Sequence, residues 1–396
     1  MNGTAEGGLA MTLEEDYPEL RDGVRKLCAD YPAEYWRELD EKKAYPEAFV
    51  DAMGAAGYLA ALIPEEYGGA GLPFRAAQVI LQTVHEEGCS AMACHAQMYI
   101  MGTILRHGSE AQKQKFLPRI ATGELRLQAF GVTEPTSGSD TLKLKTRAVR
   151  DGDHYVVNGQ KIWTSRSLYS DLMLLIARTT PVDEVESHNH GLSVFIVDMK
   201  EAQAAGTMQI NRIPTVINHL TTEIFFTDMK VPVENRIGEE GEGFQYILSG
   251  MNAERILVCG EVMGNARWFL KKAVDYANER EVFGRPIGQN QGIQFPLARA
   301  RAEVDAADLM MRQAATLLDA GRPCGYEANC AKLLVSEAAW KAADACLQTY
   351  GGFSQAVEFD VGRVWAETRI FQIAPVSTNL VLAFIAHKVL GLPKSY

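Results

Sequence analysis

Leu172-Met173-Leu174-Leu175-Ile176 and Leu192-Ser193-Val194-Phe195-Ile196-Val197 are two short apolar runs near the middle of a 396-residue chain. Together with Thr222-Glu223-Ile224-Phe225-Phe226 they give the stretch from about Leu127 to Ile237 the texture of β-strands separated by turns. Arg150-Asp151-Gly152-Asp153 reads as a hairpin and Asn158-Gly159 as a second turn, so this stretch is expected to form a compact antiparallel β-barrel. Outward on the N-terminal side, from Leu13 to Glu124, the apolar spacing changes to three and four, as in Phe49, Met53, Ala56 and in Ala76, Val79, Ile80, Val84, interrupted by the turn-rich Ile63 to Gly71. On the C-terminal side, after Gly243, helices are expected to about Ala277, from Asn290 to Ala320, from Tyr326 to Tyr350 and from Val361 onward. The chain therefore reads as an α+β multidomain protein: an N-terminal α-helical domain (1-126), a middle antiparallel β-barrel (127-237) and a C-terminal four-helix bundle (238-396).

Composition removes several functions. The 39 Lys and Arg against 50 Asp and Glu leave a net charge of -11, which argues against a nucleic-acid surface. No run of ~18 apolar residues is present, so no membrane span is expected. Met1 to Ala10 lacks a basic segment followed by an apolar core, so no secretory signal is read there. Seven cysteines are scattered without a C-x-x-C, which reads as reduced core residues of a cytoplasmic protein. There is no G-x-G-x-x-G after a strand, no P-loop, no H-E-x-x-H and no G-x-S-x-G. His85-Glu86-Glu87 has no second histidine four residues after the first, so it is read as a helix-surface cluster and no metal site is expected.

Five motifs in order then converge. Pro64-Glu65-Glu66-Tyr67-Gly68-Gly69-Ala70-Gly71, Thr133-Glu134-Pro135-Thr136-Ser137-Gly138-Ser139-Asp140, Asn158-Gly159-Gln160-Lys161-Ile162-Trp163-Thr164-Ser165, Arg280-Glu281-Val282-Phe283-Gly284-Arg285-Pro286-Ile287 with Gln291 and Gln294, and Gln348-Thr349-Tyr350-Gly351-Gly352 resemble the signatures of acyl-CoA dehydrogenases. The resemblance spans nearly all of the chain from Leu13. It implies FAD, an acyl-CoA thioester substrate, electron transfer to an electron-transfer flavoprotein, a homotetramer and a place in fatty acid β-oxidation. By the same resemblance Phe130, Val132 and Thr133 meet the flavin ring, with Trp163 and Ser165 on its other side. Arg280 reaches the FAD pyrophosphate of a neighbouring subunit, near Gln348, Gly351 and Gly352. Ser139, Phe283, Gln291, Ser377 and Asn379 complete the expected cofactor set, and Ser139, Asn252 and Arg255 are expected at the CoA moiety.

Dehydrogenation of a thioester to the 2,3-enoyl form requires one base for the α-proton, while hydride leaves the β-carbon for flavin N5. Most members of the family carry that base in a C-terminal I-Y-E-G-T-S motif. The corresponding run here is Ile373-Ala374-Pro375-Val376-Ser377-Thr378-Asn379, with Pro375 at the glutamate position. Met251-Asn252-Ala253-Glu254-Arg255 instead resembles the isovaleryl and long-chain branch, whose glutamate precedes an arginine on the first C-terminal helix. Periodicity agrees: Ile247, Met251, Glu254 and Val258 share one helical face, so Glu254 is expected to point inward with a raised pKa. Glu261 shares that stripe but stands about 10.5 Å further along the axis. Pro375 offers no backbone N–H to a thioester carbonyl. That departure keeps two alternatives in view, a flavin oxidase or monooxygenase on the same fold and a non-catalytic acyl-CoA-binding flavoprotein.

Overall fold

The computed structural model describes residues 16–187 and 189–395. The segment read as lacking a secretory signal, and Leu13 where the helical pattern starts, lie outside the described residues. The N-terminal region folds as α1 (Pro18–Ala29), α2 (Ala33–Lys42), α3 (Glu47–Ala55), α4 (Phe74–Glu86), α5 (His95–His107) and α6 (Glu110–Ala121). In α4 every residue from Arg75 to His85 is buried, because the helix is enclosed on all sides. His85 is therefore a core residue and not the surface histidine expected.

The middle region holds β1 (Leu127–Gly131), β2 (Arg147–Asp151), β3 (His154–Ser165), β4 (Leu172–Arg178), β5 (Leu192–Asp198), the short α7 (Met199–Ala204), β6 (Met208–Arg212), β7 (Thr221–Pro232) and β8 (Arg236–Ile237). The apolar runs that decided the fold are β4 and β5. They fail to alternate because both faces are covered: Leu172, Leu174 and Ile176 pack with the N-terminal helices, while Met173, Leu175 and Ala177 face a core with Tyr155 and Phe195.

The middle region departs from three expectations. The barrel is not closed: the sheet runs β6-β7-β3-β2-β4-β5-β8, and the two-residue β8 pairs only β5 before the chain leaves the sheet, so the edges do not meet. Nor is it purely antiparallel, since β1 pairs β4 in parallel and β2 touches β4 in parallel at Arg178. Asn158-Gly159 is not a turn either. It lies within β3 at a register shift against β7, where a Cβ on Gly159 would come 2.5 Å from the Thr146 hydroxyl oxygen. Close backbone approach, not chain reversal, is what requires glycine there.

The C-terminal region is built on three long helices, α8 (Gly243–Glu279), α9 (Gln291–Asp319) and α10 (Gly325–Tyr350), with a small hairpin of β9 (Glu281–Val282) and β10 (Arg285–Pro286) between the first two. The fourth expected helix is the nine-residue α11 (Val361–Arg369); the chain breaks before the seven-residue α12 (Thr378–Phe384), so the bundle is three long helices with two short ones rather than four of equal length. α4 lies along α8 so closely that a Cβ on Gly260 would stand 2.5 Å from the Gln78 carbonyl oxygen, and one on Gly264 2.4 Å from that of Gln82. The two helical regions are thus one packed body around the site.

Candidate active site

A cavity of about 310 Å³ lies where α5, the ends of β1 and β3, α8 and the segment before α12 converge. Ile247, Met251, Glu254 and Val258, the stripe on α8, all line it. Phe130, Val132, Thr133, Trp163 and Ser165 form another wall, and Ala374 and Pro375 a third. Trp163 lines this cavity yet keeps 58% of its surface exposed, so its indole is free to meet a ligand there. A larger groove of about 770 Å³ between α8 and α9 includes Gln294. Its charges are already paired within the protein, Arg267 to Glu86 and Asp308, Lys271 to Asp275 and Arg301 to Asp305.

The wall is held from behind by an ion pair joining two of the motifs. Lys161 Nζ donates to Glu134 Oε1 at 2.9 Å and to the Val132 carbonyl at 3.0 Å. Glu134 also accepts the Lys145 N–H at 2.7 Å and the Thr146 N–H at 2.9 Å. Both side chains are buried. Burial pushes the Lys161 ammonium down to about 8 against the pull of Glu134. Burial acts to raise Glu134, but Lys161 and the two backbone donors outweigh it and hold the carboxyl below its ordinary value.

Glu254 is raised above the ordinary glutamate value by burial, tempered by the nearby charges of His95 and Arg255 and by a hydrogen bond from the Tyr99 hydroxyl. Tyr99 is pushed well above its usual value by burial and by Glu254 itself. The neighbouring Glu261 behaves oppositely: burial acts to raise it, yet His95, with His85 and Arg166 further off, holds it below the usual range. Its Oε1 lies 2.8 Å from His95 Nδ1. Of the two carboxylates on the stripe, one is therefore a poised proton acceptor and the other a fixed counter-ion.

The remaining expected residues fall outside this cavity. Ser139 is exposed beside Gly138 and Thr141, which line the cavity. Arg255 and Asn252 are half-buried and bonded to each other, with Arg255 Nη1 3.1 Å from Asn252 Oδ1. Arg280, Gly351 and Gly352 come together around a separate pocket of about 520 Å³, where the Arg280 guanidinium sits 5.7 Å above the Phe353 ring. Gln348 and Gln291 are exposed, and Phe283 is fully exposed beside the turn between β9 and β10. Ser377 is spent as the cap of α12, accepting the Leu380 N–H, and Asn379 is exposed on that helix.

Sequence reasoning missed the polar floor: His95, Tyr99, Gln128, Arg166 and His219 all line the cavity. Arg166 immediately follows a quoted motif, and His95 is a lone ionisable residue in an apolar segment; either could have been flagged. His219 carried no local signal. Of the methionines near it, Met92 lines the cavity whereas Met98 and Met101 are core.

Family models for the acyl-CoA dehydrogenase N-terminal, middle and C-terminal domains match residues 14–124, 129–229 and 241–390. The chain belongs to the acyl-CoA dehydrogenase family. It is 32% identical over 385 residues to acyl-CoA dehydrogenase fadE12 of Mycobacterium bovis, covering 96% of this chain and 98% of that one. It is 34% identical over 388 residues to cyclohex-1-ene-1-carbonyl-CoA dehydrogenase of Syntrophus aciditrophicus, covering 96% and 91%. Among solved structures it superposes on glutaryl-coenzyme A dehydrogenase in complex with glutaryl-CoA with a TM-score of 0.89 and 30% identity, over 97% of each chain. Acyl-CoA dehydrogenases are oxidoreductases acting on CH–CH donors, and this chain is one of them. Among the described residues, no helix is long and apolar enough to cross a membrane.

Proposed function

We propose that this acyl-CoA dehydrogenase converts an acyl-CoA thioester to the 2,3-enoyl-CoA, with Glu254 taking the α-proton. The observation that carries this is Glu254 itself: a carboxylate on the cavity wall, raised by burial, facing a wall that ends in an exposed indole. The Trp163 face with the Thr133 and Ser165 hydroxyls beside it suits a planar, hydrogen-bonding ring, so these residues with Phe130 and Val132 would hold the isoalloxazine of FAD. FAD, when bound, accepts the hydride that leaves the β-carbon. Tyr99 hydrogen-bonds Glu254 and so orients the carboxylate toward the substrate. The thioester itself fills the cavity and excludes water from the reacting carbons.

Arg280, Gly351 and Gly352 would meet cofactor phosphate from a neighbouring subunit, and the fully exposed Phe283 nearby in sequence supports a homotetramer that shares the cofactor. Ser139, Asn252 and Arg255 are assigned to the CoA moiety, and an electron-transfer flavoprotein to the role of acceptor. Anaerobic titration of the flavin-loaded protein with acyl-CoAs tests this: the oxidised flavin band bleaches in the wild type and persists in Glu254→Gln, which still binds thioester. Bleaching that survives the substitution overturns the assignment of the base. Pro375 lines the cavity without an N–H to offer, which keeps the oxidase alternative open. Rapid reoxidation by O2 once product has left is the result that would favour it.

A further inference from the structure

The floor of the cavity is cationic and rich in donors, and its guanidinium is in direct contact with no carboxylate among the described residues. Arg166 is 6% exposed and stands in the left-handed region with φ +59°, its N–H bonded to the Leu220 carbonyl at 2.9 Å. This turn aims the side chain at the N-terminal helices, where Nη1 donates to the Met92 carbonyl. Among the described residues no carboxylate forms an ion pair with it, and its Nε has no hydrogen-bond partner. Glu261, the buried acid whose charge acts on Arg166, lies 2.8 Å from His95 and makes no ion pair with the guanidinium. Around the guanidinium, Gln128 spends its Oε1 on the Tyr45 hydroxyl at 2.8 Å and leaves Nε2 without a partner, and His219 Nδ1 is likewise unmatched. His219 is pushed well below its ordinary value by burial and by the charges of Arg166 and His95, so its imidazole is neutral and has a proton to share on one nitrogen.

A floor for a methyl-terminated chain would be apolar. A buried guanidinium with no carboxylate in contact is costly, and the cost is reduced when a ligand supplies an anion at bonding distance. We propose that Arg166, with Gln128 and His219, forms a subsite for a carboxylate at the far end of the acyl chain, so that the preferred thioester is a short ω-carboxyacyl-CoA rather than a fatty acyl-CoA. The proposal rests on the acyl-CoA function above and narrows it. A planar guanidinium is the group suited to grip a carboxylate through two parallel bonds, which a lysine ammonium does not reproduce. The floor and the base then act at opposite ends of one molecule: Arg166 fixes the terminus, and Glu254 on α8 meets the α-carbon.

The test compares, in the flavin-loaded protein under anaerobic conditions, ω-carboxyacyl-CoAs of four to six carbons with methyl-terminated acyl-CoAs of the same lengths, following perturbation and bleaching of the flavin band. The wild type is expected to bind the carboxylate-ended members at least tenfold more tightly. Arg166→Met is expected to erase or invert that ratio, and Arg166→Lys to retain part of it. A wild type that prefers methyl-terminated chains overturns the subsite while leaving the dehydrogenase function intact, as does an Arg166→Met variant that weakens both series equally. No response to any thioester overturns both. The wild-type comparison needs no variant to fold, so the outcome stands even if Arg166→Met is unstable.

Discussion

Replacing Lys161 by Met and Glu134 by Gln should not cost the same, although the two side chains form one ion pair. In Lys161→Met the Glu134 carboxylate keeps its two backbone donors but loses its counter-ion inside the protein. Protonating it at pH 7, even from the ordinary 4.5, costs about 3.4 kcal/mol, and the backbone donors that favour the ionised form raise that cost. In Glu134→Gln the stranded group is an ammonium already pushed down to about 8 even with Glu134 pulling it up; removing that charge lowers it further, so shedding its proton at pH 7 costs at most about 1.4 kcal/mol. The amide oxygen retains one of the backbone N–H bonds and the other is lost, adding about 1 kcal/mol. Lys161→Met is therefore expected to destabilise by about 3–5 kcal/mol and Glu134→Gln by about 2. For a 396-residue chain unfolding as a unit, the former lowers the melting temperature by roughly 4–6 °C, and by more if the middle region unfolds alone. Thermal unfolding of the flavin-loaded variants, with hydrogen exchange on β1 and β3 as the local readout, measures both. Equal losses, or a loss below about 1 kcal/mol for Lys161→Met, would refute the claim that a desolvated, charged pair supports the cavity wall. The double variant should cost less than the sum of the singles, since it strands no charge.

Because burial raises Glu254, the rate of flavin reduction should fall on the acid side at a pH above that of an exposed glutamate, since the base acts only when deprotonated. Tyr99→Phe removes a bond that favours the carboxylate and should move that limb further upward; stopped-flow reduction across pH shows whether the limb moves. Gly264→Ala drives a Cβ to 2.4 Å from the Gln82 carbonyl and should destabilise by about 1–3 kcal/mol, read by thermal unfolding. Trp163→Ala, at an exposed position, should change stability by less than about 0.5 kcal/mol while weakening flavin retention on a desalting column.

The parts of this fold legible in the chain are those governed by local spacing. Three- and four-residue periodicity located α8 through α11, and the same stripe placed Glu254 on the wall it shares with Ile247, Met251 and Val258. Barrel closure was not legible, because it depends on whether β6 and the two-residue β8 meet, and no local pattern encodes edge pairing. Asn158-Gly159 misled for the opposite reason. The dipeptide is a strong hairpin signal only where the chain reverses, and here the glycine answers to Thr146 on a neighbouring segment. The polar floor escaped because its members are assembled from four distant places, α5, β1, the end of β3 and the approach to β7. Each alone reads as an isolated polar residue.

The backbone at the end of β3 offers an independent indication that this corner is built for a ligand. Trp163 and Arg166 both take positive φ, +61° and +59°, and so does Leu220 at +52°, whose carbonyl holds the Arg166 N–H. Each such residue costs about 1–3 kcal/mol unless its surroundings enforce it. All three are non-glycine residues at one end of the β3–β7 pair, Trp163 inside β3, Arg166 just after it and Leu220 just before β7, and the pairing of β3 with β7 slips between Ile162 and Thr164 at the same place. A regular strand would point successive side chains to alternate faces. Trp163 and Ser165, two apart, share a face in that pattern, and the turn at Arg166 breaks it, bringing Arg166 to the cavity as well. The strain thus coincides with an exposed indole and a guanidinium whose Nε has no hydrogen-bond partner, which is where strain retained for binding is expected to lie.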